Sequence, residues 1–253
     1  MLDSLRLDGR VAIVTGASRG LGRAMARALA EAGATCVLAS RSLPDLEAVA
    51  HEIEAMGRSA LALRTDVTRL EEMEKLASAA HQRFGRIDIL VNNAGVAIVK
   101  PFIEITREEW SRILDTNLSG VVNGCRAVGP YLVARKSGKV INVASAAAAR
   151  ALPGYSAYSL TKAAVISLTK SLAVEWARYN IQVNAIGPGW FITPMNETAF
   201  ADEKIRDRLL RDVPARRTGK PEELGPLVVY LASPASDFVT GETIFIDGGS
   251  TAV

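Results

Sequence analysis

The chain has 253 residues, of which 49% are hydrophobic and 23% are charged. This is enough to bury a full core, and it suits one α/β domain as well as two small ones. The 30 basic and 27 acidic residues leave a net charge of only +3, spread along the chain, which argues against a nucleic-acid-binding protein. The densest basic stretch, 206–217, has aspartates interleaved and is interpreted as a solvated helix face.

The two cysteines, Cys36 and Cys125, lie in apolar runs and lack metal-ligand spacing. This is typical of buried thiols in a reducing compartment, and no metal site is predicted. The N-terminal residues carry Asp3 and Asp8 without an apolar leader, and no run reaches the about 18 apolar residues of a membrane span. We therefore expect a soluble, cytoplasmic protein that does not enter a membrane.

Short β-branched runs alternate with longer helical patterns along the chain. The runs lie at 11–15, 36–40, 60–65, 87–93, 139–145, 181–186 and 243–247. Several of them are apolar almost throughout, as in strands that are buried on both faces. The alternation predicts an α/β, Rossmann-type doubly wound domain, with a seven-stranded parallel sheet and helices on both faces.

Helical spacing of apolar residues covers the segments between these runs. The predicted helices are 21–32, 43–56, 69–84, 106–134, 156–179, 201–212 and 221–232. No repeat or linker divides the chain, so a single domain over 1–253 is predicted. The helix at 156–179 is apolar or small over most of its circumference and needs cover on two sides, with a second subunit as one candidate.

A glycine-rich turn at 15–22 follows the first predicted strand and opens the first helix. Gly16 permits a tight turn, Gly20 lets the backbone approach a pyrophosphate, and Gly22 lets the helix lie close to the strand. The free N–H groups at the helix start suit phosphates. Its position favours a dinucleotide-binding turn over a purely structural one. The predicted contacts are Gly16, Ser18, Arg19, Gly20, Leu21 and Gly22.

The second predicted strand ends in Ser40 and Arg41, where an NAD-binding chain usually places an acid on the ribose 2′-OH. Arg41 and Arg19 could flank a 2′-phosphate instead, with a hydrogen bond from Ser40. The alternative is a pair of solvated arginines. We favour NADP(H) as the cofactor and keep NAD(H) as the second choice.

Polar residues also follow the third and fourth predicted strands. Asp66 follows the third, and Asn93-Ala94-Gly95 follows the fourth. Open α/β sheets bind ligands at these strand ends, although each residue could merely cap a helix or form a turn.

Tyr158 and Lys162 are four residues apart on a predicted helix and therefore share one face. A nearby ammonium favours phenolate over phenol, and lowering a phenol pKa by about 3 units needs roughly 4 kcal/mol. Ser145, at the end of the fifth predicted strand, brings a hydroxyl to the same sheet edge. The alternatives are a turn serine and a surface lysine.

Together these motifs resemble the short-chain dehydrogenase/reductase family over essentially the whole chain. Ser145 stands at the family's expected distance, thirteen positions before the tyrosine. The other similar segments are 15–22 (TGxxxGxG), Asn92-Asn93-Ala94-Gly95 (NNAG), Tyr158 with Lys162 (YxxxK), Pro188-Gly189 (PG) and Asp247-Gly248-Gly249 near the C-terminus.

The resemblance implies that Tyr158 is the general acid/base and that Ser145 polarises the substrate oxygen. It implies that Lys162 lowers the tyrosine pKa and hydrogen-bonds the nicotinamide ribose, and that Asn117 anchors a water linking Lys162 to solvent.

For the cofactor, the resemblance implies that Asp66-Val67 contacts adenine and that Thr193 holds the nicotinamide amide. Pro188, Gly189 and Phe191 belong to the same cofactor-binding segment, and Phe191 is bulkier than the aliphatic residue that is common there. The family also implies a homotetramer through 106–134, 156–179 and the C-terminal edge, with a homodimer as the second expectation.

The substrate side is expected to come from 96–103, 146–155 and 190–215, the last by resemblance a mobile lid. We expect an NAD(P)(H)-dependent oxidoreductase that interconverts a secondary alcohol and a ketone on a small molecule. The lid segment 190–195 resembles the gluconate 5-dehydrogenase-like sugar and polyol branch more than the β-ketoacyl-acyl carrier protein reductases.

Two alternatives remain. An acyl carrier protein reductase should present a basic docking patch, and Arg135, Lys136 and Lys139 are the compact candidates; we interpret them as a solvated turn before the fifth strand. A non-catalytic dinucleotide sensor should lack one of Asn117, Ser145, Tyr158 and Lys162, and all four are present.

Overall fold

In the computed structural model, which describes residues 2–253 apart from the side chain of Ala199, seven strands form one parallel sheet. The strands are β1 (Val11–Thr15), β2 (Thr35–Ser40), β3 (Ala60–Arg64), β4 (Ile89–Asn92), β5 (Gly138–Val143), β6 (Ile181–Pro188) and β7 (Thr243–Ile246). Their order is β3-β2-β1-β4-β5-β6-β7, and every neighbouring pair is parallel. The predicted doubly wound fold is confirmed.

Helices cover both faces of the sheet. They are α1 (Gly20–Glu31), α2 (Leu43–Ala55), α3 (Leu70–Phe84), α4 (Arg107–Leu114), α5 (Gly120–Arg135), α6 (Ser156–Trp176), α7 (Glu197–Ala201), α8 (Glu203–Arg211) and α9 (Gly225–Ala232). Successive residues of a strand point to opposite faces. Thus Ala12 and Val14 of β1 pack in the core with α1, α2 and α9, while Val11 and Ile13 pack in the core with α3, α5 and α6.

The predicted helix at 106–134 is divided in the structure. A capping box between Thr106 and Glu109 starts α4, and a π-helical turn, Asp115–Ser119, separates α4 from α5. Such turns insert an extra residue into a helix and occur often at functional sites. The predicted boundaries also differ near 201–212, where the helix begins at Glu203 and a short helix, α7, precedes it.

The three basic residues that the sequence interpreted as a solvated turn before β5 have different environments. Lys139 is only 8% exposed, and its Nζ donates to Asp237 Oδ1 at 2.7 Å and to Ser236 Oγ at 3.2 Å. Arg135 lies 3.4 Å from Asp88, which is itself buried. Lys136 is exposed, as predicted. The reason for the difference is tertiary, because the acidic partners come from other parts of the chain.

Both cysteines are buried, and burial raises the pKa of each thiol to about 12. Over residues 2–253, every helix is too short or too polar to cross a bilayer.

Candidate active site

A cleft of about 640 Å³ lies at the carboxyl ends of the strands, beside the point where the strand order reverses between β1 and β4. Open α/β sheets bind their ligands at this place. Of the predicted site residues, all but Gly22 and Asn117 line the cleft. Those two lie behind it, and each has a structural reason to do so.

The glycine-rich turn has the geometry that the sequence predicted. Gly16 and Gly20 adopt φ of +65° and +57°, which side chains rarely tolerate. A Cβ at Gly22 would lie 2.2 Å from the Gly16 carbonyl oxygen, so only glycine lets α1 start this close to β1. The turn therefore keeps an open backbone cradle at the N-terminus of α1, which suits a pyrophosphate.

Asn93 holds this turn to the end of β4. Its Nδ2 donates to the carbonyl oxygens of Thr15 at 2.9 Å and Gly16 at 3.2 Å. In return, Thr15 Oγ1 accepts from the backbone N–H groups of Asn93 and Ala94. The NNAG segment is thus bonded directly to the cradle.

At the far end of the cleft, Arg19 and Arg41 are both exposed and both line the cavity. The Ser40 hydroxyl donates to the Ser42 carbonyl at 3.2 Å and accepts from the Ser42 N–H. Ser42 and Asp45, from the start of α2, also line this end and were missed by the sequence reasoning. Asp45 is an acid only four residues after Arg41, a signal that the sequence offered.

Asp66 makes the local turn that the sequence left open as an alternative. Its Oδ1 accepts from the N–H of Thr68 at 3.0 Å and from the Thr68 hydroxyl at 2.8 Å. Val67 is buried, and its carbonyl accepts from Asn123 Nδ2 at 2.9 Å. Since both Asp66 and Val67 line the cleft, the structural and the cofactor-binding interpretations are compatible.

Tyr158 and Lys162 both face the cleft from α6. The Lys162 ammonium lies 5.7 Å from the centre of the Tyr158 ring and donates to the Val143 carbonyl at 2.7 Å. Lys162 is only 4% exposed, and this burial lowers its pKa to about 8.

The pKa of Tyr158 moves in the direction opposite to the sequence prediction. Burial raises the pKa of the phenol, and a hydrogen bond with Ser145 opposes the shift only in part. The lowering of this pKa by Lys162 together with an oxidised nicotinamide stays a prediction, because the protein by itself favours the phenol. The physical reason is that removal of the phenol from water costs the phenolate more than the surrounding side chains return.

Ser145 lies just beyond β5 and is 7% exposed. Its Oγ accepts from the N–H of Ala147 at 3.1 Å, as an N-cap does. The oxygen accepts this bond, so the hydroxyl hydrogen points away from Ala147 and serves the hydrogen bond with Tyr158 that partly offsets the burial of the phenol.

Asn117 lies in the π-helical turn and is fully buried. Its Oδ1 accepts from the Val96 N–H at 2.8 Å, and its Nδ2 donates to the Val96 carbonyl at 2.9 Å and to Thr161 Oγ1 at 3.3 Å. The side chain thus joins the loop after β4 to α6, one residue away from Lys162. The relay of a water through this residue stays a prediction.

The loop after β6 is held from two sides. Gly189 packs tightly against Asp247, the residue just after β7. A Cβ at Gly189 would lie 2.6 Å from Asp247 Cα, so a larger residue does not fit. The bulky Phe191 is 4% exposed and packs in the core next to Gly219. Asn196 then accepts from the Thr193 N–H at 2.9 Å and donates to the Phe191 carbonyl at 2.9 Å.

The substrate side carries an aromatic wall and an arginine. Tyr155 packs edge-on against both Tyr158 and Trp190, with ring centres 6.1 Å apart in each pair. Trp190 packs in the same manner on Phe200, at 5.7 Å. Arg150 lines the cleft and bonds to Asp212. All four residues belong to 146–155 or 190–215, two of the segments from which the sequence predicted the substrate side.

A Rossmann-type sheet with a glycine cradle and a Ser–Tyr–Lys cluster at one cleft defines the class of nicotinamide-dependent oxidoreductases. Residues 16–251 match the family model described as enoyl-(acyl carrier protein) reductase. The chain belongs to the short-chain dehydrogenase/reductase family, and it is an NAD(P)-dependent oxidoreductase.

Relatives of known name cover nearly the whole chain. Gluconate 5-dehydrogenase from Gluconobacter oxydans strain 621H is 39% identical over 249 residues, covering 98% of this chain and 97% of that protein. The 3-oxoacyl-(acyl-carrier-protein) reductase of Thermotoga maritima is 37% identical over 245 residues, covering 97% of this chain and 99% of that protein.

Among solved structures, a gluconate 5-dehydrogenase from Burkholderia cenocepacia J2315 in complex with NADP and tartrate has a TM-score of 0.96. It is 40% identical, and the match covers 100% of this chain and 99% of that one.

Proposed function

We propose that this protein is an NADP(H)-dependent dehydrogenase/reductase that interconverts a secondary alcohol and a ketone in a sugar acid, polyol or related carbonyl compound. The observation that carries the proposal is the convergence of Ser145, Tyr158 and Lys162 on the cleft that also holds the glycine cradle. The proposal assigns the catalytic roles to these three residues and to Asn117.

The cradle formed by Gly16 and Gly22 suits a dinucleotide, because side chains at either position would collide with neighbouring backbone. Gly16, Ser18, Arg19, Gly20 and Leu21 would hold the phosphates. Asp66, Val67 and 93–95 would hold the adenosine half and the middle of the cofactor, and 188–193 the nicotinamide end. When bound, the nicotinamide supplies or accepts the hydride.

In the oxidation direction, the Tyr158 oxygen takes the proton from the substrate hydroxyl as general base; in reduction it returns that proton to the ketone oxygen. The Ser145 hydroxyl donates a hydrogen bond to the same substrate oxygen. The Lys162 ammonium, fixed on Val143, offsets the burial cost of the phenolate, and the positive charge of an oxidised nicotinamide acts in the same direction.

NADP(H) is proposed over NAD(H) because two exposed guanidinium groups, Arg19 and Arg41, line the end of the cleft where a 2′-phosphate would lie. The relative from Burkholderia cenocepacia was solved with NADP. Asp45 places an opposite charge at the same end and keeps NAD(H) as the alternative.

The acyl carrier protein reductase is the second candidate, supported by the relative from Thermotoga maritima. The two candidate functions differ in whether the enzyme needs a basic surface patch that docks an acyl carrier protein. Lys139 is buried and bonded to Asp237, and Arg135 contacts Asp88, so the basic patch considered from the sequence is reduced and Lys136 is the member that stays exposed. This favours a small free substrate over a carrier-bound one.

We also propose a homotetramer, with a homodimer second, and one catalytic domain over residues 1–253, of which Met1 lies outside the described residues. Exposed apolar side chains support the association. Two of them, Leu160 and Val174, lie on α6, the helix whose sequence is apolar almost all round.

The proposed function is tested by a panel of sugar acids, polyols, ketones and acyl thioesters, each assayed with NADP(H) and NAD(H) through the absorbance of the reduced cofactor. Turnover of a sugar acid or polyol with a preference for NADP(H) is the expected result. Turnover of acyl thioesters alone would favour the second candidate, and no turnover of any compound would contradict both.

A further inference from the structure

Arg150 brings a positive charge to the wall of the cleft. It follows Ser145 by five residues, after the short 3-10 turn Ala146–Ala148, and lines the same cleft as Ser145 and Tyr158. Its side chain is 27% exposed, so the guanidinium is partly withdrawn from water at the substrate side.

The guanidinium is held by groups that a ligand could replace. One nitrogen donates to Asp212 Oδ2 at 2.8 Å, and the other donates to the Asp212 carbonyl at 3.1 Å and the Ser250 carbonyl at 3.5 Å. Asp212 is 59% exposed, at the C-terminal end of α8. An ion pair with so exposed a partner contributes little to stability, so the carboxylate of Asp212 can exchange with another one.

The other cationic side chains of the cleft lie elsewhere or are held by another group. Arg19 and Arg41 lie at the end formed by the glycine turn and β2, and the Lys162 ammonium is committed to Val143. Arg112, on α4, is exposed. Among the described cleft residues, Arg150 is therefore the guanidinium that shares its segment with Ser145.

We propose that Arg150 binds the carboxylate of the substrate in place of Asp212, so that the enzyme selects hydroxy and keto acids over neutral alcohols of the same skeleton. A guanidinium can hold a carboxylate through two parallel hydrogen bonds, which no neutral hydroxyl can match. Asp212 closes the site in the absence of the acid and yields to it. This inference rests on the proposed alcohol and ketone chemistry and names its substrate class.

The test compares D-gluconate with sorbitol, its neutral polyol counterpart, in the wild type and in three variants. The variants are Arg150→Gln, Asp212→Asn and, as a control for loss of a cleft guanidinium, Arg112→Gln. Hydrogen bonds to charged groups are worth about 1.5–3 kcal/mol, so Arg150→Gln should raise KM for gluconate roughly 10- to 100-fold. Its KM for sorbitol should change less than about 2-fold, a split that follows from loss of a charge-assisted bond that only the acid makes.

The Asp212→Asn variant distinguishes substrate binding by Arg150 from a purely structural role of the Arg150–Asp212 ion pair. If Arg150 binds the substrate, removal of its competitor leaves KM for gluconate unchanged or lowers it. If the Arg150–Asp212 pair only holds the segment 190–215 in position, both variants should raise KM for both substrates to the same extent. That result would overturn the inference.

Two further outcomes would also overturn it. One is loss of gluconate selectivity in Arg112→Gln instead of Arg150→Gln, and the other is a wild type that turns over neutral alcohols or ketones but no acid. A wild type inactive on every compound of the wider panel would instead contradict the proposed function itself. NADPH binding, measured by fluorescence, should be the same in all variants and verifies that they are folded.

Discussion

The ammonium of Lys162 donates a 2.7 Å hydrogen bond to the carbonyl of Val143, the last residue of β5. This bond ties α6 to the strand that leads into Ser145, so the three residues of the proposed proton site share one rigid frame. It also fixes the charge of Lys162 beside the Tyr158 ring, where it can stabilise a phenolate. With a pKa of about 8, the ammonium keeps most of its charge at neutral pH.

Replacing Tyr158 by Phe should abolish most turnover while leaving the cleft in place. Positioned general acid/base groups contribute about 10²- to 10⁴-fold, so kcat should fall by that amount. Phenylalanine keeps the ring that packs against Tyr155, and the fold should not change. Cofactor absorbance measures kcat, and NADPH fluorescence should give a nearly unchanged Kd. A variant that retains wild-type activity would disprove the acid/base role.

The two directions of the reaction should respond oppositely to pH. Burial raises the pKa of Tyr158, so at pH 7 the protein holds mostly the phenol. Oxidation needs the phenolate as base, and its kcat/KM should rise with pH. Reduction needs the phenol as acid, and its kcat/KM should fall on the alkaline side.

The same profile tests Lys162. In Lys162→Met the phenolate loses its neighbouring cation, so the rising limb of the oxidation profile should move to higher pH. Steady-state rates from pH 6 to 10 in both directions measure the shift. An unmoved limb, together with normal dinucleotide binding, would mean that the ammonium does not act on the tyrosine.

Local sequence signals were enough for the sheet and the cradle. The β-branched runs gave β1 its bounds, and the spacing of Gly16, Gly20 and Gly22 indicated the turn, because both depend on near neighbours. Tyr158 and Lys162 on α6 were singled out by a spacing of one helical turn and by family resemblance. Their contacts within the site could not be read from spacing.

What the sequence missed depends on distant partners. The π-helical turn at Asn117 is locked by Val96, 21 residues away, and apolar periodicity passes through it unbroken. Lys139 is buried because Asp237, 98 residues later, accepts from it. In the same way, Arg150 pairs with Asp212, 62 residues later, and no local pattern announces the contact.

Arg41→Ala should weaken NADP(H) binding far more than NAD(H) binding. A charge-assisted contact to a 2′-phosphate is worth about 1.5–3 kcal/mol, or roughly 10- to 100-fold in Kd, and NAD(H) lacks that phosphate. Titration of both reduced cofactors by fluorescence measures the difference, with Arg83→Ala, an exposed arginine on α3, as the control. Equal losses for the two cofactors would remove the argument for NADP(H).

Asp88 should be a stability residue without a role in turnover. It is 3% exposed and accepts from the Val11 N–H at 2.9 Å and from Arg86 at 2.6 and 2.8 Å. Burial alone would raise the pKa of its carboxyl, but the hydrogen bonds from Arg86 and Val11 and the nearby arginines lower it overall. Asp88→Ala should lower the free energy of unfolding by about 1–3 kcal/mol, because the Val11 N–H loses its acceptor while the arginines, each about a third exposed, are hydrated instead.

The sign of this shift sets the pH dependence. A carboxyl with a lowered pKa in the folded state stabilises the protein above its unfolded pKa of about 3.9, and the benefit disappears as pH falls below that value. The difference between wild type and Asp88→Ala in urea should therefore be full at pH 7 and shrink toward pH 3. A constant difference would show that the loss comes from packing and not from charge. Activity per folded molecule should be unchanged.

The oligomeric state can be tested through α6. Val174 is 83% exposed and Leu160 48% exposed on this helix, and full burial of a side chain such as valine is worth about 1.5–3 kcal/mol. Since a symmetric interface repeats each contact, Val174→Glu would place several charges in it and should dissociate a tetramer to smaller species. Light scattering after gel filtration measures the mass, and Ala48→Glu on the exposed side of α2 is the matched control. A wild type that is a stable monomer would refute the interface, because nothing would then cover the apolar circumference of α6.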